Sequence, residues 1–132
     1  MNMANKKKKV PAGATQHVTA GPYSPVLEVD CSKLVVISGQ TCIAPDGGIP
    51  TMKFEGQARL TLENCRKQLQ TAGCDFEDVF KVNVYMTDLG QWEKFNEIYQ
   101  EMIPEPRPVR TAVQAVLLEG ILVEVEMWAV KA

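Results

Sequence analysis

Histidine is almost absent from this chain, because His17 is the only one in 132 residues. The four cysteines show no C-x-x-C spacing (Cys31, Cys42, Cys65 and Cys74). A structural zinc site needs about four such ligands, so the sequence predicts no metal site. With one histidine and no recognisable Ser-His-Asp set, it also offers no motif for a triad hydrolase. Reduced thiols in a cytosol account best for the cysteines, and disulfides are the alternative.

The chain also lacks long apolar runs. No stretch approaches the roughly 20 apolar residues that a membrane-spanning helix needs, and the start of the chain has no apolar signal-peptide core. Glycine motifs of phosphate loops and dinucleotide folds are missing as well. We therefore expect a cytoplasmic protein without a membrane partner.

The net charge of −2 hides an uneven distribution, because Lys6 to Lys9 supply four of the fourteen basic groups. Residues 16–132 carry ten basic and sixteen acidic groups, a net charge of −6. A body this acidic repels nucleic acid. We expect a basic, flexible N-terminal tail over residues 1–15 and one domain over 16–132; a basic arm or a targeting signal is the alternative for the tetralysine.

Apolar spacing predicts strands, then helices between strands. Strand patterns cover His17–Ala20, Val26–Cys31 and Lys33–Gln40, with a tight connection at Cys31-Ser32. The later elements are a helix over Lys53–Gly73, a strand over Phe80–Met86, a helix from Asp88 to Met102, and strands near Val109–Leu118 and Leu122–Val130. The predicted order is β-β-β-α-β-α-β-β, an α+β fold.

Two helices with similar apolar stripes can cover one face of a single sheet. Several strand residues are too apolar to leave the other face in water: Leu34, Val36, Val113, Ala115, Val123 and Val125. We therefore expect subunits to associate through their sheets.

Two charges interrupt the last apolar strands, and burying an unpaired charge is costly. Arg110 presents a fork that can bind a carboxylate or phosphate, or it forms an ion pair with Glu124, Glu126 or a neighbour's acid. If the last two strands form a hairpin, a two-residue turn at Glu119-Gly120 puts Arg110 and Glu124 on opposite faces. A three-residue loop puts them on one face, and a subunit interface is the other way to bring them together.

Four segments together resemble the Rid family, also called YjgF-like or reactive intermediate deaminase proteins. They are Gly21-Pro-Tyr-Ser, Val36-Ile-Ser-Gly-Gln40, Pro108-Val-Arg-Thr-Ala and Val123-Glu-Val-Glu-Met. The resemblance covers about residues 16–131. It implies a chorismate-mutase-like fold with one mixed sheet, and a homotrimer with clefts between subunits.

The resemblance also implies a reaction, the hydrolysis of reactive 2-imino acids to 2-oxo acids and ammonia without a cofactor. Arg110 then matches the arginine that holds the substrate carboxylate, and Glu124 matches the acid that positions or activates water. Tyr23, Ser38 and Asn96 match pocket residues. Ala112 occupies a position where archetypal members often have cysteine, and the loop before Val123 is one residue shorter.

Three other functions are alternatives. The chain could be a trimer that binds a 2-oxo acid or another small carboxylate without turnover. It could be an endoribonuclease, which its acidic body disfavours, or an enzyme that cleaves amides or carbamates.

Overall fold

The computed structural model describes residues 7–51 and 53–131. Its strands are β1 (Lys8–Lys9), β2 (Glu28–Val29), β3 (Lys33–Gln40), β4 (Val79–Met86), β5 (Val109–Gln114) and β6 (Val123–Lys131). Its α-helices are α1 (Phe54–Thr71) and α2 (Trp92–Met102). The short 3-10 helices Phe76–Asp78 and Leu89–Gln91 precede β4 and α2.

The main sheet has four strands in the order β3-β6-β4-β5. Strands β4 and β5 are parallel, and the other two pairs are antiparallel. The apolar faces of α1 and α2 pack on one side of this mixed sheet and form the core. The predicted α+β class and both helices are confirmed. Helix α1 ends at Thr71, just before Gly73, which has the positive φ that is common after a helix C-terminus.

The N-terminal strand predictions are partly wrong. No strand forms over His17–Ala20, and of Val26–Cys31 only Glu28–Val29 is a strand. That strand pairs with Lys8–Lys9 in a separate ribbon, not with Lys33–Gln40. Short alternating segments show which residues can be extended, but they do not identify the pairing partner.

The basic segment also differs from a flexible tail in the part that the structure describes, while Lys6 lies outside the described residues. Lys8 is 2% exposed, and its Nζ donates to the carbonyls of Val79 (2.6 Å) and Pro106 (2.9 Å). Lys7 forms a 2.6 Å ion pair with Asp78. These carbonyl and carboxylate partners offset the cost of removing the ammonium groups from water.

The hairpin considered for the last two strands is wrong, because β4 lies between β5 and β6. Val82 of β4 pairs with Arg110 on one side and Met127 on the other, and all three side chains face the helices. Tyr85 pairs with Glu124. Since side chains alternate along a strand, Glu124 lies on the face without helices, hereafter the open face.

The open face carries part of the expected apolar set. Leu34 and Val36 are each 57% exposed and Val113 is 41% exposed. Val123 and Val125, expected on the same face, are instead fully buried under the helices. Association of subunits through the open face stays a prediction.

Candidate active site

Arg110 is a buried cation at the start of the edge strand β5. The residue is 8% exposed, and its side chain points under α2 because it shares the helix-covered face with Val82. Pro104 follows the end of α2 at Met102, and Pro108 directly precedes β5, so Arg110 is the second residue of this strand. Local sequence thus places a fixed positive charge at the sheet edge.

Aromatic rings surround the Arg110 guanidinium. The distances from its Cζ to the ring centroids are 4.8 Å for Tyr99, 4.9 Å for Trp92, 5.1 Å for Tyr23 and 5.7 Å for Phe95. Each ring face attracts the cation. The rings therefore stabilise and orient the guanidinium without using its N–H donors.

Those donors have few partners. Nη2 donates to Oδ1 of Asn96 at 2.7 Å, while Nε and Nη1 are buried and have no partner among residues 7–51 and 53–131. Burial lowers the pKa of Arg110, but a guanidinium keeps its proton in proteins. No carboxylate of the described residues forms an ion pair with it, so the ion pair with Glu124 or Glu126 is not formed within the described chain. The site is a cation with unused, buried donors.

Glu124 and Glu126 project from β6 onto the open face. One oxygen of Glu126 accepts from the Tyr85 hydroxyl (2.5 Å) and from Nδ2 of Asn83 (3.2 Å). The hydrogen bond between Tyr85 and Glu126 is the main reason that the pKa of Tyr85 is raised. Glu124 is half-buried and has no hydrogen-bond or ion-pair partner in the part of the chain that the structure describes. Of the two carboxylates, Glu124 is the one whose oxygens are free for a water molecule.

The other predicted residues fall into two groups. Tyr23 and Asn96 contact Arg110, and Ala112 follows it on the same face of β5, paired with Val84. Ser38 is exposed on β3, at the opposite edge of the sheet from β5. One chain therefore brings Tyr23 and Asn96 to Arg110, but it does not bring Glu124 or Ser38 there.

Several residues around Arg110 were not expected. Trp92, Phe95 and Tyr99 have the spacing of an apolar helix stripe, a pattern that indicates a core-facing side of α2 and not a ligand site. Asn96 lies on that same stripe, four residues after Trp92, and a polar amide on an apolar helix face is a signal for a polar site. Gly21 was also missed: a Cβ there would lie 3.0 Å from Nδ2 of Asn96 and 3.2 Å from Nη2 of Arg110.

No three His, Cys, Asp or Glu side chains are grouped to hold a metal ion within residues 7–51 and 53–131. The described helices include none that is long and apolar enough to cross a membrane.

Comparison with known proteins places this chain in a family. The model of the family Endoribonuclease L-PSP matches residues 14–131. The mouse protein named 2-iminobutanoate/2-iminopropanoate deaminase is 35% identical over 132 residues, covering 98% of this chain and 96% of its own. The fission yeast protein named mmf2, mitochondrial, is 37% identical over 107 residues, covering 81% and 82%.

A solved structure is similar too. The crystal structure of Escherichia coli TdcF with bound serine superposes with a TM-score of 0.68 at 33% identity, covering 79% of this chain and 85% of that one.

The chain thus belongs to the Endoribonuclease L-PSP family, the family of the Rid and YjgF proteins, as its four motifs predicted. Its relatives include proteins named as reactive intermediate and imine deaminases, and these names support a deaminase role for the family. The cytoplasmic location stays a prediction, since the fission yeast relative is named as mitochondrial.

Proposed function

We propose that this protein hydrolyses short 2-imino acids, of the 2-iminobutanoate and 2-iminopropanoate type, to 2-oxo acids and ammonia. The reaction takes place in a cleft between subunits of a homotrimer. No cofactor or metal takes part. Arg110 binds the substrate carboxylate, Glu124 activates water, and Tyr23, Ser38, Asn96 and Ala112 line the pocket.

One observation carries the proposal, the unused donors of the buried Arg110. Leaving buried donors without a partner costs about 1–3 kcal/mol each, and a ligand carboxylate removes that cost with two charge-assisted hydrogen bonds. Asn96 and the four rings fix the plane of the guanidinium in advance. Binding then needs little ordering of the arginine. Bound serine in the TdcF crystal is consistent with a small carboxylate ligand in this family.

The chemistry needs positioning of the substrate and a carboxylate that moves protons between water and the imine nitrogen. Water adds to the carbon of the C=N bond while Glu124 takes a proton from it. Glu124 returns that proton to the imine nitrogen, which gives the carbinolamine. The hydroxyl proton then passes through Glu124 to the amine nitrogen, the C–N bond breaks, and ammonia leaves as the C=O bond of the 2-oxo acid forms. Because the imine is already electrophilic, holding its carboxylate on Arg110 is sufficient to orient the carbon toward the water.

Glu124 acts on this substrate from a neighbouring subunit. Within one chain Arg110 and Glu124 lie on opposite faces of the sheet. Contact between the open face of one subunit and the β5 edge of the next supplies Glu124 to the Arg110 pocket, and the exposed Leu34, Val36 and Val113 give that contact an apolar surface.

The test is the replacement of Arg110 by alanine. The substrate is 2-iminobutanoate, generated in situ by a dehydratase. We expect kcat/KM to fall roughly 30- to 1000-fold, which corresponds to a loss of about 2–4 kcal/mol of transition-state stabilisation. The readout is ammonia release above the spontaneous rate. Arg59→Ala is a matched control, because Arg59 is a half-buried arginine on α1 that pairs with Glu101 and Glu55. Equal kcat/KM for R110A and wild type would show that Arg110 does not bind the substrate.

Glu124→Gln separates catalysis from simple carboxylate binding. An enzyme loses turnover in this variant but still binds 2-oxobutanoate, measured by calorimetry. A wild-type protein that binds 2-oxobutanoate but never accelerates ammonia release is the binding trimer instead. Cleavage of RNA, or of amides or carbamates, by wild type but not by E124Q identifies one of the other two alternatives.

A further inference from the structure

Glu124 is held differently from the other acid on its strand. Hydrogen bonds from Tyr85 and Asn83 fix Glu126. Glu124 has no such bond from the described residues, yet a proton acceptor must be fixed within a fraction of an ångström to act efficiently. Packing against neighbouring residues therefore has to fix the position of the Glu124 carboxylate.

The packing partner is Gly39, in an irregular part of β3. Ile37 pairs with Met127 and Gln40 pairs with Val125, so three steps along β3 oppose two steps along β6. One extra residue therefore enters β3 between these pairs, which is a β-bulge, a feature that frequently lies beside functional sites. Ser38 and Gly39 occupy this bulge.

The Glu124 side chain fills the space that a side chain at position 39 would take. A Cβ on Gly39 would overlap Oε2 of Glu124, and would lie 3.0 Å from its Cδ and 3.2 Å from its Cγ. Gly39 has no positive φ, so alanine suits the backbone there. The three nearest atoms all belong to the flexible side chain of Glu124, so its outer part must move.

We infer that Gly39 is a positioning residue for Glu124, because the missing side chain at the β3 bulge lets the Glu124 carboxylate lie against β3 with its oxygens free. This inference rests on the proposed role of Glu124 in hydrolysis. Any larger residue at position 39 displaces the carboxylate while the fold and the Arg110 pocket stay intact.

Gly39→Ala tests the inference through the division between kcat and KM. We expect kcat to fall about 10- to 100-fold, as for a displacement near 1 Å, with KM within about threefold of wild type because Arg110 is untouched. Gly48→Ala is the matched control. Its Cβ would also press on a carboxylate oxygen, Oδ1 of Asp46 at 3.1 Å, but in an exposed turn, so we expect its kcat to stay at the wild-type value.

A second variant tests the physical cause. Glu124→Asp shortens the side chain by one methylene and relieves the overlap, so Gly39→Ala should cost less than about threefold in the E124D background. Equal costs in both backgrounds would show that Gly39 acts through the fold and not through Glu124.

A crystal structure of G39A gives a readout that does not depend on turnover, and the inference expects a displaced Glu124 carboxylate. If wild type hydrolyses no imine, the proposed function fails, but this displacement still tests the contact. If wild type is active and G39A keeps its kcat or leaves Glu124 in place, the inference about Gly39 is overturned.

Discussion

At the scale of single residues, two cations are buried among the residues that the structure describes, and their hydrogen bonding differs. The ammonium of Lys8 donates to two carbonyl oxygens, those of Val79 and Pro106. The guanidinium of Arg110 has one partner, Asn96, and two nitrogens with none among the described residues. Lys8 is therefore a structural cation that fastens the N-terminal ribbon, while the unused donors of Arg110 are available to a ligand.

Replacing Lys8 by methionine should reduce stability by about 1–3 kcal/mol at pH 7, because two carbonyls lose their donor. The measurement is the free energy of unfolding in urea. An unchanged value would mean that the Lys8 contacts do not hold the ribbon.

The difference in unfolding free energy between wild type and K8M should also depend on pH. Burial lowers the pKa of Lys8 from 10.5 to about 8. Between these values the folded chain has released a proton that the unfolded chain still holds, so the free energy of unfolding of wild type should rise with pH relative to K8M. A difference that stays flat or falls from pH 8 to 10.5 would contradict this assignment.

At this scale, the sequence identified Arg110 and Glu124 because charges are costly in apolar strands. It did not identify Trp92, Phe95 and Tyr99 as neighbours of Arg110, because an aromatic stripe on a helix has the same pattern whether it covers a core or a cation. Gly21 and Gly39 were part of the family motifs, but their role depends on contacts between distant segments, which no local pattern contains.

At the scale of elements, periodicity predicted both helices and the strands β3 to β6. It did not predict which strands pair with each other. The partner of Glu28–Val29 is the lysine pair Lys8–Lys9, which has no apolar alternation. The hairpin considered for β5 and β6 does not form, because strands that are neighbours in sequence are not always neighbours in a sheet. Strand β4 lies between β5 and β6, so the length of their loop does not decide which face Glu124 occupies.

A buried amide connects α1 to the loop that precedes β6. Gln57 is fully buried, and its Nε2 donates to the carbonyls of Thr51 (3.1 Å) and Gly120 (2.8 Å). Its Oε1 accepts from the N–H of Leu122 at 2.9 Å. This one side chain thus satisfies three backbone groups and fixes the path of the chain into the strand that carries Glu124.

Gln57→Leu should therefore destabilise the protein by about 1–3 kcal/mol, since it leaves buried backbone groups unpaired. Gln68→Leu, an exposed position on the same helix, should stay within about 0.5 kcal/mol of wild type. Urea unfolding of both variants makes the comparison. Similar losses for the two would show that the Gln57 hydrogen bonds are not what holds the loop.

At the scale of the whole molecule, the two faces of the sheet have different roles. One face and both helices enclose the core and hold Arg110 at its edge, while the other carries Glu124 beside exposed aliphatic residues. Neither face contains both groups that the proposed reaction needs. The central claim is therefore that the active site is completed by a second subunit.

Mixed oligomers of R110A and E124Q test that claim most directly. Each variant alone lacks one group at every site, and both should be inactive in ammonia release from 2-iminobutanoate. If Arg110 and Glu124 of one site come from different subunits, co-assembly at equal amounts restores an intact pair at about one quarter of the clefts. The account predicts activity near a quarter of wild type in co-assembled protein, and continued inactivity in verified mixed oligomers would contradict it.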